Sequence, residues 1–432
     1  MSEEDAFDAV VVGAGPAGAT AAYCLAKAGA NVLVIERGNY AGAKNMTGGR
    51  LYAHSLEKII PGFAEEAPIE RRVTAEKVSF LTDDAGVTID YRNGEKPMKV
   101  EESYTVLRGP FDQWLIGKAE EVGAQVIYGV RVDKVLRNEQ GKVCGIEADG
   151  DQIDAKCVII AEGVNTILTE QLGMATRPCD PTAVAVGAKE LIQLSETEVA
   201  KRFGLQGNEG AAWLFAGSPS NGLMGGGFIY TNKDTVSVGV VAGLAHIGGS
   251  SKSVPEMLED FKNHPVVKPL IEGGEMIEYS GHVVPEAGLN MCPKLYAPGV
   301  LIVGDAAGFC INQGFTVRGL DLAIASGEKA AEAVLDALKA NDFGESTLRS
   351  YETRLKNSFV MHDLTLYKDL PAFFENPRLF NDYPKLMTGM MKDMFVLGSK
   401  SSVPLRQKIM ARVKQVGIWN MLKDVYHGGK AI

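Results

Sequence analysis

The chain has 432 residues, a net charge of −10, 46% hydrophobic and 23% charged residues. That length suggests two or three packed units, and the composition is that of an ordinary globular enzyme rather than a disordered or fibrous chain. The acidic balance argues against a nucleic-acid partner. The 49 glycines are spread along the chain, which points to tight turns and close ligand approaches. The acidic start Met1-Ser2-Glu3-Glu4-Asp5 lacks the positive, apolar pattern of a secretory signal. The longest uncharged stretch, 211–232, is broken by Gly217, Gly222, Gly225, Gly226 and Gly227 and does not read as a membrane span. A cytoplasmic protein is expected. Cys24, Cys144, Cys157, Cys179, Cys292 and Cys310 show no close pair, so no zinc or iron–sulfur pattern and no metal site is expected.

The first forty residues carry the densest signal. An apolar run at 8–12 meets Gly13-Ala14-Gly15-Pro16-Ala17-Gly18, followed by an Ala-rich helix over 19–28, a stop at Gly29, and a second apolar run at 31–35 ending at Glu36. Gly13 permits the tight turn, Gly15 lets the backbone approach a pyrophosphate, and Gly18 lets helix and strand pack closely. Glu36 falls where a carboxylate can bind a ribose hydroxyl. The pattern predicts a dinucleotide site without saying which dinucleotide.

Beyond Glu36, the glycine-rich segment 37–50 reads as a loop. A helix is expected over 52–60, strands within 72–91 and 104–108, an amphipathic helix over 111–122, and a strand over 125–135. Segments 142–147 and 151–153 form a hairpin pattern leading into a buried strand over 156–161, which turns at Gly163. From 179 to 282, strand patterns at 184–191, 212–215, 227–230 and 235–241 predict an antiparallel second domain with one helix, 254–262, started by Ser253. A buried strand then runs into Gly304-Asp305. A loop passes through Gly314, a long Ala-rich helix is expected over 319–338, and a helical tail follows from 343.

Gly304-Asp305 is the second informative motif. An Asp presented at a strand end can hydrogen-bond a polyol chain, although it could equally cap the helix behind it. Two nucleotide-type motifs almost 300 residues apart suit FAD, whose ribityl chain and phosphates need an extended cleft.

The glycine turn, Val303-Gly304-Asp305-Ala306-Ala307-Gly308-Phe309, and Arg108 ahead of Phe111-Asp112-Gln113-Trp114-Leu115 together resemble the glutathione-reductase-type FAD fold. The segments Gly42 to Tyr52, His282-Val283-Val284-Pro285-Glu286-Ala287-Gly288 and Gly314-Phe315-Thr316-Val317-Arg318-Gly319 narrow the likeness. They resemble the FixC-like members of the electron-transfer-flavoprotein:quinone oxidoreductase family, over essentially the whole chain. The resemblance implies an α/β FAD-binding fold with an antiparallel β second domain and a helical C-terminal tail. The expected division is 1–178 and 291–340 for the FAD-binding domain, 179–290 for the quinone side, and 341–432 for the tail.

The resemblance also implies site roles. Gly13, Gly15, Pro16, Ala17, Gly18, Glu36 and Arg37 would hold the ADP half of FAD, with Arg108 near the phosphates, Val132 against adenine and Gly163 alongside. Gly304 and Asp305 would take the ribityl chain, and Lys44, Gly48, Gly49 and Arg50 would pack against the isoalloxazine ring. The turn at Gly314, Phe315 and Thr316 would bring a helix N-terminus to the flavin N1–C2=O edge, assisted by Arg318; such a dipole favours reduced flavin by about 0.3–2 kcal/mol. The plain alternatives are an ion-pairing role for Arg108 at the surface, a solvated helix face for Arg318, and structural roles for His54 and His282. No residue stands out as a catalyst, as fits electron transfer through a cofactor.

Partners follow from the same resemblance. Electrons would come from electron-transfer-flavoprotein subunits and pass towards quinone. No cysteine follows Cys310, so the cluster of the longer family members implies here a separate small ferredoxin-like iron–sulfur protein. Over 400–432, seven basic residues stand against the single Asp424, with Ile409, Val413, Val416, Ile418, Trp419 and Leu422 between them. This basic amphipathic pattern suits contact with an anionic membrane, at the cytoplasmic face of the inner membrane, or with a partner; packing on the protein's own acidic surface is the alternative. A geranylgeranyl-reductase-like flavoenzyme, an aromatic hydroxylase and a flavin-binding scaffold are the competing functions.

Overall fold

The computed structural model describes residues 6–44, 49–92, 98–176, 180–399 and 401–432. Two sheets organise the chain. The first runs Tyr296–Ala297, Val300–Ile302, Asp151–Ile160, Phe7–Val12, Val32–Glu36, Gln125–Tyr128, and every pair except the first is parallel. Val10, Val34, Ile159 and Leu301 lie in its buried centre. Unbroken apolar runs of this kind are what a parallel sheet covered on both faces demands. The covering helices include Pro16–Lys27 and Leu320–Ala340, whose contact is close because small residues meet there. A Cβ added at Gly327 would stand 2.2 Å from the Ala17 carbonyl oxygen.

Asp151–Ile160 is a single strand with two roles. Its first half pairs antiparallel with Val143–Ala148, which in turn pairs with Val132–Arg137, and its second half lies beside Phe7–Val12. The second arm of the expected hairpin and the buried strand are thus one continuous element. The expected strand over 125–135 is instead two, Gln125–Tyr128 and Val132–Arg137, separated at Gly129, whose φ is +76°.

The second sheet has nine strands. Its order is Glu275–Pro285, Val184–Gln193, Thr235–Gly243, Gly225–Thr231, Glu209–Gly217, Ile69–Leu81, Ser103–Val106, Arg50–Tyr52, with Gly86–Arg92 also on Ile69–Leu81. All pairings are antiparallel but one. Glu209–Gly217 runs parallel to Ile69–Leu81, with Ala212 opposite Glu76. The sheet is therefore mixed, and the strands between 50 and 106 belong to it although they precede most of the first sheet. Sequence alternation sets which face a strand buries, not which strand it pairs with.

Helix Val254–Asn263 begins at a capping box made by Ser253 and Glu256, and packs Met257, Leu258 and Phe261 into a core with Trp213 and Phe215. A further helix, Glu196–Phe203, adds to the single helix expected in this domain, and the Ser195 hydroxyl caps it by accepting from the Glu198 N–H at 3.2 Å. The tail is helical: Glu345–Lys356, Phe359–Leu366, Leu370–Phe374, Asp382–Phe395, Leu405–Val416 and Ile418–Ala431. Among the described residues, no helix is long and apolar enough to cross a membrane.

Candidate functional site

A cavity of about 770 Å³ is lined by residues of both sheets and of the tail. Its polar end lies over the turn between Phe7–Val12 and helix Pro16–Lys27. Gly13 has φ +106°, and a Cβ there would come within 2.4 Å of the Ala161 carbonyl oxygen. A Cβ on Gly18 would come within 2.0 Å of the Gly13 carbonyl oxygen, so Gly18 serves packing and is not itself a cavity-lining residue. Gly15 differs from both. A Cβ there meets nothing within 4 Å, and the residue lines the cavity beside Pro16 and Ala17. No side chain caps the helix, so its first N–H groups, which have no intrahelical acceptor, are available to an anion.

Glu36 ends the next strand. Its Oε2 accepts the Ala14 N–H at 2.9 Å and its Oε1 accepts the Gly38 N–H at 2.6 Å. A carboxylate has further lone pairs, so it can still accept hydroxyl groups. Arg37, Lys44, Gly49, Arg50, Arg108, Val132 and Gly163 also line the cavity; Gly48 lies outside the described residues. Arg50 pairs with Glu76, donates to the Ser103 hydroxyl at 3.0 Å and lies over the Tyr52 ring. Arg108 opens helix Arg108–Glu121 and grips Asp112 with two hydrogen bonds of 2.9 and 2.8 Å. It is ion-paired, but facing the cavity rather than at the protein surface. Its positive charge also reaches Asp305, whose carboxyl is raised by burial and drawn back by Arg108 and His282.

Gly304 and Asp305 line the cavity at the end of strand Val300–Ile302, in a short 3₁₀ turn. Asp305 does not cap the long helix, which begins at Leu320. Two expectations about the following segment need correction. Gly314 and Phe315 line the cavity, but they and Thr316 form the tip of a hairpin between Ile311–Asn312 and Val317–Arg318. The Gln313 N–H donates to the Thr316 carbonyl at 2.9 Å, and Thr316 is not part of the lining. The helix N-terminus that reaches the cavity is that of Leu320–Ala340, through Gly319 and Leu320. Arg318 is neither free beside the cavity nor on a solvated helix face. Its side chain pairs with Asp321 at 2.7 Å and Asp363 at 2.6 Å and lies over the Phe359 ring. His54 completes that cluster, its Nε2 standing 3.1 Å from Asp321, a structural role.

The cavity lining extends well beyond the expected site residues, and three of the additions, Lys189, His282 and Glu286, bear titratable groups on or next to strands of the second sheet. Lys189, on strand Val184–Gln193, is lowered by burial, against the pull of Glu278 at 3.4 Å. His282 lines the cavity, and its Nδ1 lies against the Val283 carbonyl. Glu286 follows strand Glu275–Pro285, and burial pushes its carboxyl up to about 7, against a weak opposing hydrogen bond from Asn312. The signal available for it was a lone acid inside an otherwise apolar, Pro-containing segment. The cavity's other end is apolar, with Val78, Phe80, Leu214, Phe215, Phe374 and Phe380 in its wall.

An uncapped helix end above an open glycine, a strand-end carboxylate and a second acid at the same edge of the sheet, where a Cβ on Gly304 would stand 2.9 Å from the Ala17 side chain, fit the phosphates, ribose and polyol chain of FAD. Together with the Rossmann-like order of strands they define a FAD-dependent oxidoreductase, and the FAD-dependent oxidoreductase family model matches residues 8–164. The models for the ubiquinone-binding part of ETF-QO and for the ETF-QO/FixC C-terminal domain match 184–284 and 370–432. The chain is 57% identical to Protein FixC of Escherichia coli K12, over 98% of this chain and 99% of that one. It is 54% identical to the probable electron transfer flavoprotein-quinone oxidoreductase YdiS of the same organism, over 99% and 100%. The chain belongs to the ETF-QO/FixC family. A geranylgeranyl bacteriochlorophyll reductase-like protein from Thermoplasma acidophilum shares the fold, with a TM-score of 0.74 at 21% identity, covering 99% of this chain and 100% of that one.

Proposed function

We propose that this protein accepts electrons from a reduced electron-transfer flavoprotein and passes them through FAD to a quinone. The observation that carries this reading is one cavity with two chemistries: a glycine-turn end suited to FAD and an apolar end partly built from the segment that matches the ubiquinone-binding model. Adjacent sites shorten the electron path and keep water from the reacting edge. FAD would lie with its phosphates at Gly13 to Gly18, its adenosine ribose at Glu36 and its adenine towards Val132. Asp305 would take the ribityl chain, with the ring between Lys44, Gly49 and Arg50 on one side and the Gly314 hairpin on the other, in a glutathione-reductase-type arrangement. The N-terminus of Leu320–Ala340 would favour negative charge on the reduced ring.

A separate ferredoxin-like iron–sulfur protein would complete the relay. Trp419, Leu422, Val425 and Tyr426 are exposed on the last helix, Trp419 at 83%. Together with the basic residues of the tail they suit contact with an anionic membrane, the source of a lipophilic quinone.

Purified protein should be yellow, with one FAD per chain. Stopped-flow mixing with reduced electron-transfer flavoprotein should reduce that FAD, and added quinone should reoxidise it. A yellow protein whose flavin is not reduced by the flavoprotein would overturn the reading in favour of a scaffold. Turnover of geranylgeranyl lipids without a flavoprotein partner would favour the reductase alternative.

A further inference from the structure

Glu286 sits in the cavity wall with no counter-ion among the described residues. Among the described residues, its carboxyl has one side-chain partner, the Asn312 amide, whose Nδ2 stands 3.2 Å from Oε2. The other end of that amide is engaged as well: Asn312 Oδ1 accepts the Gly314 N–H at 2.9 Å. One side chain thus links the carboxyl to the tip of the hairpin that enters the cavity. The backbone around Glu286 is anchored, because its N–H donates to the Ala183 carbonyl at 2.8 Å.

The surroundings decide what such a group can do. The Cys310 thiol, also in the cavity wall, is pushed up by burial and by the charges of Glu286, Asp305 and Asp321 together. The three carboxyls therefore share one neighbourhood, but their environments differ. Asp321, on helix Leu320–Ala340, is neutralised by Arg318 and His54. Asp305, on the turn after Val300–Ile302, is opposed by Arg108 and His282. Among the described residues, Glu286 has only Asn312 and the low-dielectric wall. Of the three, it is the carboxyl with the most to gain from taking up a proton when further negative charge enters the cavity.

We propose that Glu286 takes up a proton when the FAD in this cavity is reduced and releases it on reoxidation, so that electron and proton move together through the site. Two electrons and one proton convert oxidised flavin to its anionic reduced form. A second proton, drawn from solvent, converts the Glu286 carboxylate to the neutral acid and offsets the charge added to the ring. When the electrons leave for a quinone, which needs two protons to become the quinol, the flavin proton and the Glu286 proton together match that demand. The proposal rests on FAD occupying this cavity.

The test is the pH dependence of the flavin potential, measured by spectrophotometric redox titration of FAD-loaded protein. Burial raises the Glu286 carboxyl to about 7, so a proton is there to be taken up only above neutrality. Proton uptake per two electrons should therefore rise by up to one as pH increases through neutrality, relative to Glu286→Gln, which lacks that titration. The flavin's own N1 gives the opposite trend, so the two are separable. Glu286→Asp should retain the additional proton with its onset at a different pH. If the Gln variant does not hold FAD, reduction-induced infrared difference spectra of the unaltered protein serve instead, and a protonated-carboxyl band should appear on reduction at pH 8. Indistinguishable titrations of the native and Gln proteins, or no carboxyl band, would overturn the proposal. A colourless protein would instead overturn FAD binding itself.

Discussion

Arg378 and Asp424 join the last helix to the segment ahead of it through two nearly parallel hydrogen bonds, Nε to Oδ2 at 2.7 Å and Nη2 to Oδ1 at 2.6 Å. The Tyr383 hydroxyl donates to the same carboxylate at 2.7 Å. Asp424 is the only acid among the seven cations of 400–432, and it is almost fully buried. The Arg378 guanidinium holds its carboxyl down at about 2. The tail's single negative charge is thus spent inside the protein, which leaves the outer face of Ile418–Ala431 without an acidic side chain.

Asp424→Asn should loosen that helix by about 1–3 kcal/mol, the scale of hydrogen bonds to a charged group. Because the folded carboxyl titrates below its unfolded value of about 4, the contribution is complete above pH ~4 and lost as pH falls through the folded value near 2. Hydrogen exchange over 418–431 at pH 7 checks this; unchanged protection in the variant would show that the clamp carries no stability.

Gly15 and Gly18 should separate binding from folding. Gly15 has φ −71° and ψ 177°, ordinary extended backbone, and open space where a Cβ would go. Gly15→Ala should fold normally yet bind FAD at least tenfold more weakly, about 1.4 kcal/mol, because the methyl group occupies cofactor space. Gly18→Ala should cost about 1–3 kcal/mol of stability through overpacking against the Gly13 carbonyl. Thermal unfolding of the apoproteins, alongside FAD titration, distinguishes the two.

The Arg318 cluster predicts a large stability effect. Arg318→Met leaves Asp321, fully buried, with only His54 as partner. Removing one member of a buried pair costs about 3–5 kcal/mol. Burial pushes the Asp321 carboxyl up, but His54 and Arg318 together hold it below its ordinary value. The stabilisation is therefore present at neutral pH and declines as acid protonates Asp321. Urea unfolding at pH 7 and near pH 3 should show a smaller difference between native and variant at the lower pH.

Phe374 reaches the apolar end of the cavity from the tail, and a Cβ on Gly314 would come within 3.2 Å of its ring. Phe374→Ala should raise the KM for quinone about tenfold, in line with roughly 1.5–3 kcal/mol for burying an aromatic side chain. FAD content and reduction by the flavoprotein should be unchanged. An unaltered KM would place quinone elsewhere.

Local motifs were the most legible part of the chain. Gly18 and Glu36 act on neighbours set by one strand–turn–helix–strand unit, so their geometry follows from spacing, whereas Gly13 is legible as the turn but not in its close approach to the distant Ala161 carbonyl. Asp305 is similar, since a strand end fixes where it points. Arg318 was misread because its partner Asp363 lies 45 residues away and no local pattern announces it. Arg108 was legible as a cavity residue, but its grip on Asp112 depends on the helix starting three residues before the apolar pattern does. The parallel pairing of Ile69–Leu81 with Glu209–Gly217 joins segments more than a hundred residues apart, which strand periodicity cannot reveal. Glu286 escaped for another reason: its unusual acidity comes from what it lacks, a cation, and sequence spacing does not show that.

The order in which the first sheet is completed bears on how the protein is made. Phe7–Val12 lies against Asp151–Ile160, which in turn receives Val300–Ile302. The glycine turn leaves the ribosome almost at once, but the rim carrying Asp305 follows about three hundred residues later, after most of the second sheet. At a synthesis rate of roughly 5–20 residues per second, the gap is some tens of seconds. A nascent chain therefore holds an unfinished cofactor cradle for most of its synthesis, and flavin capture becomes a late event that reports a nearly finished molecule.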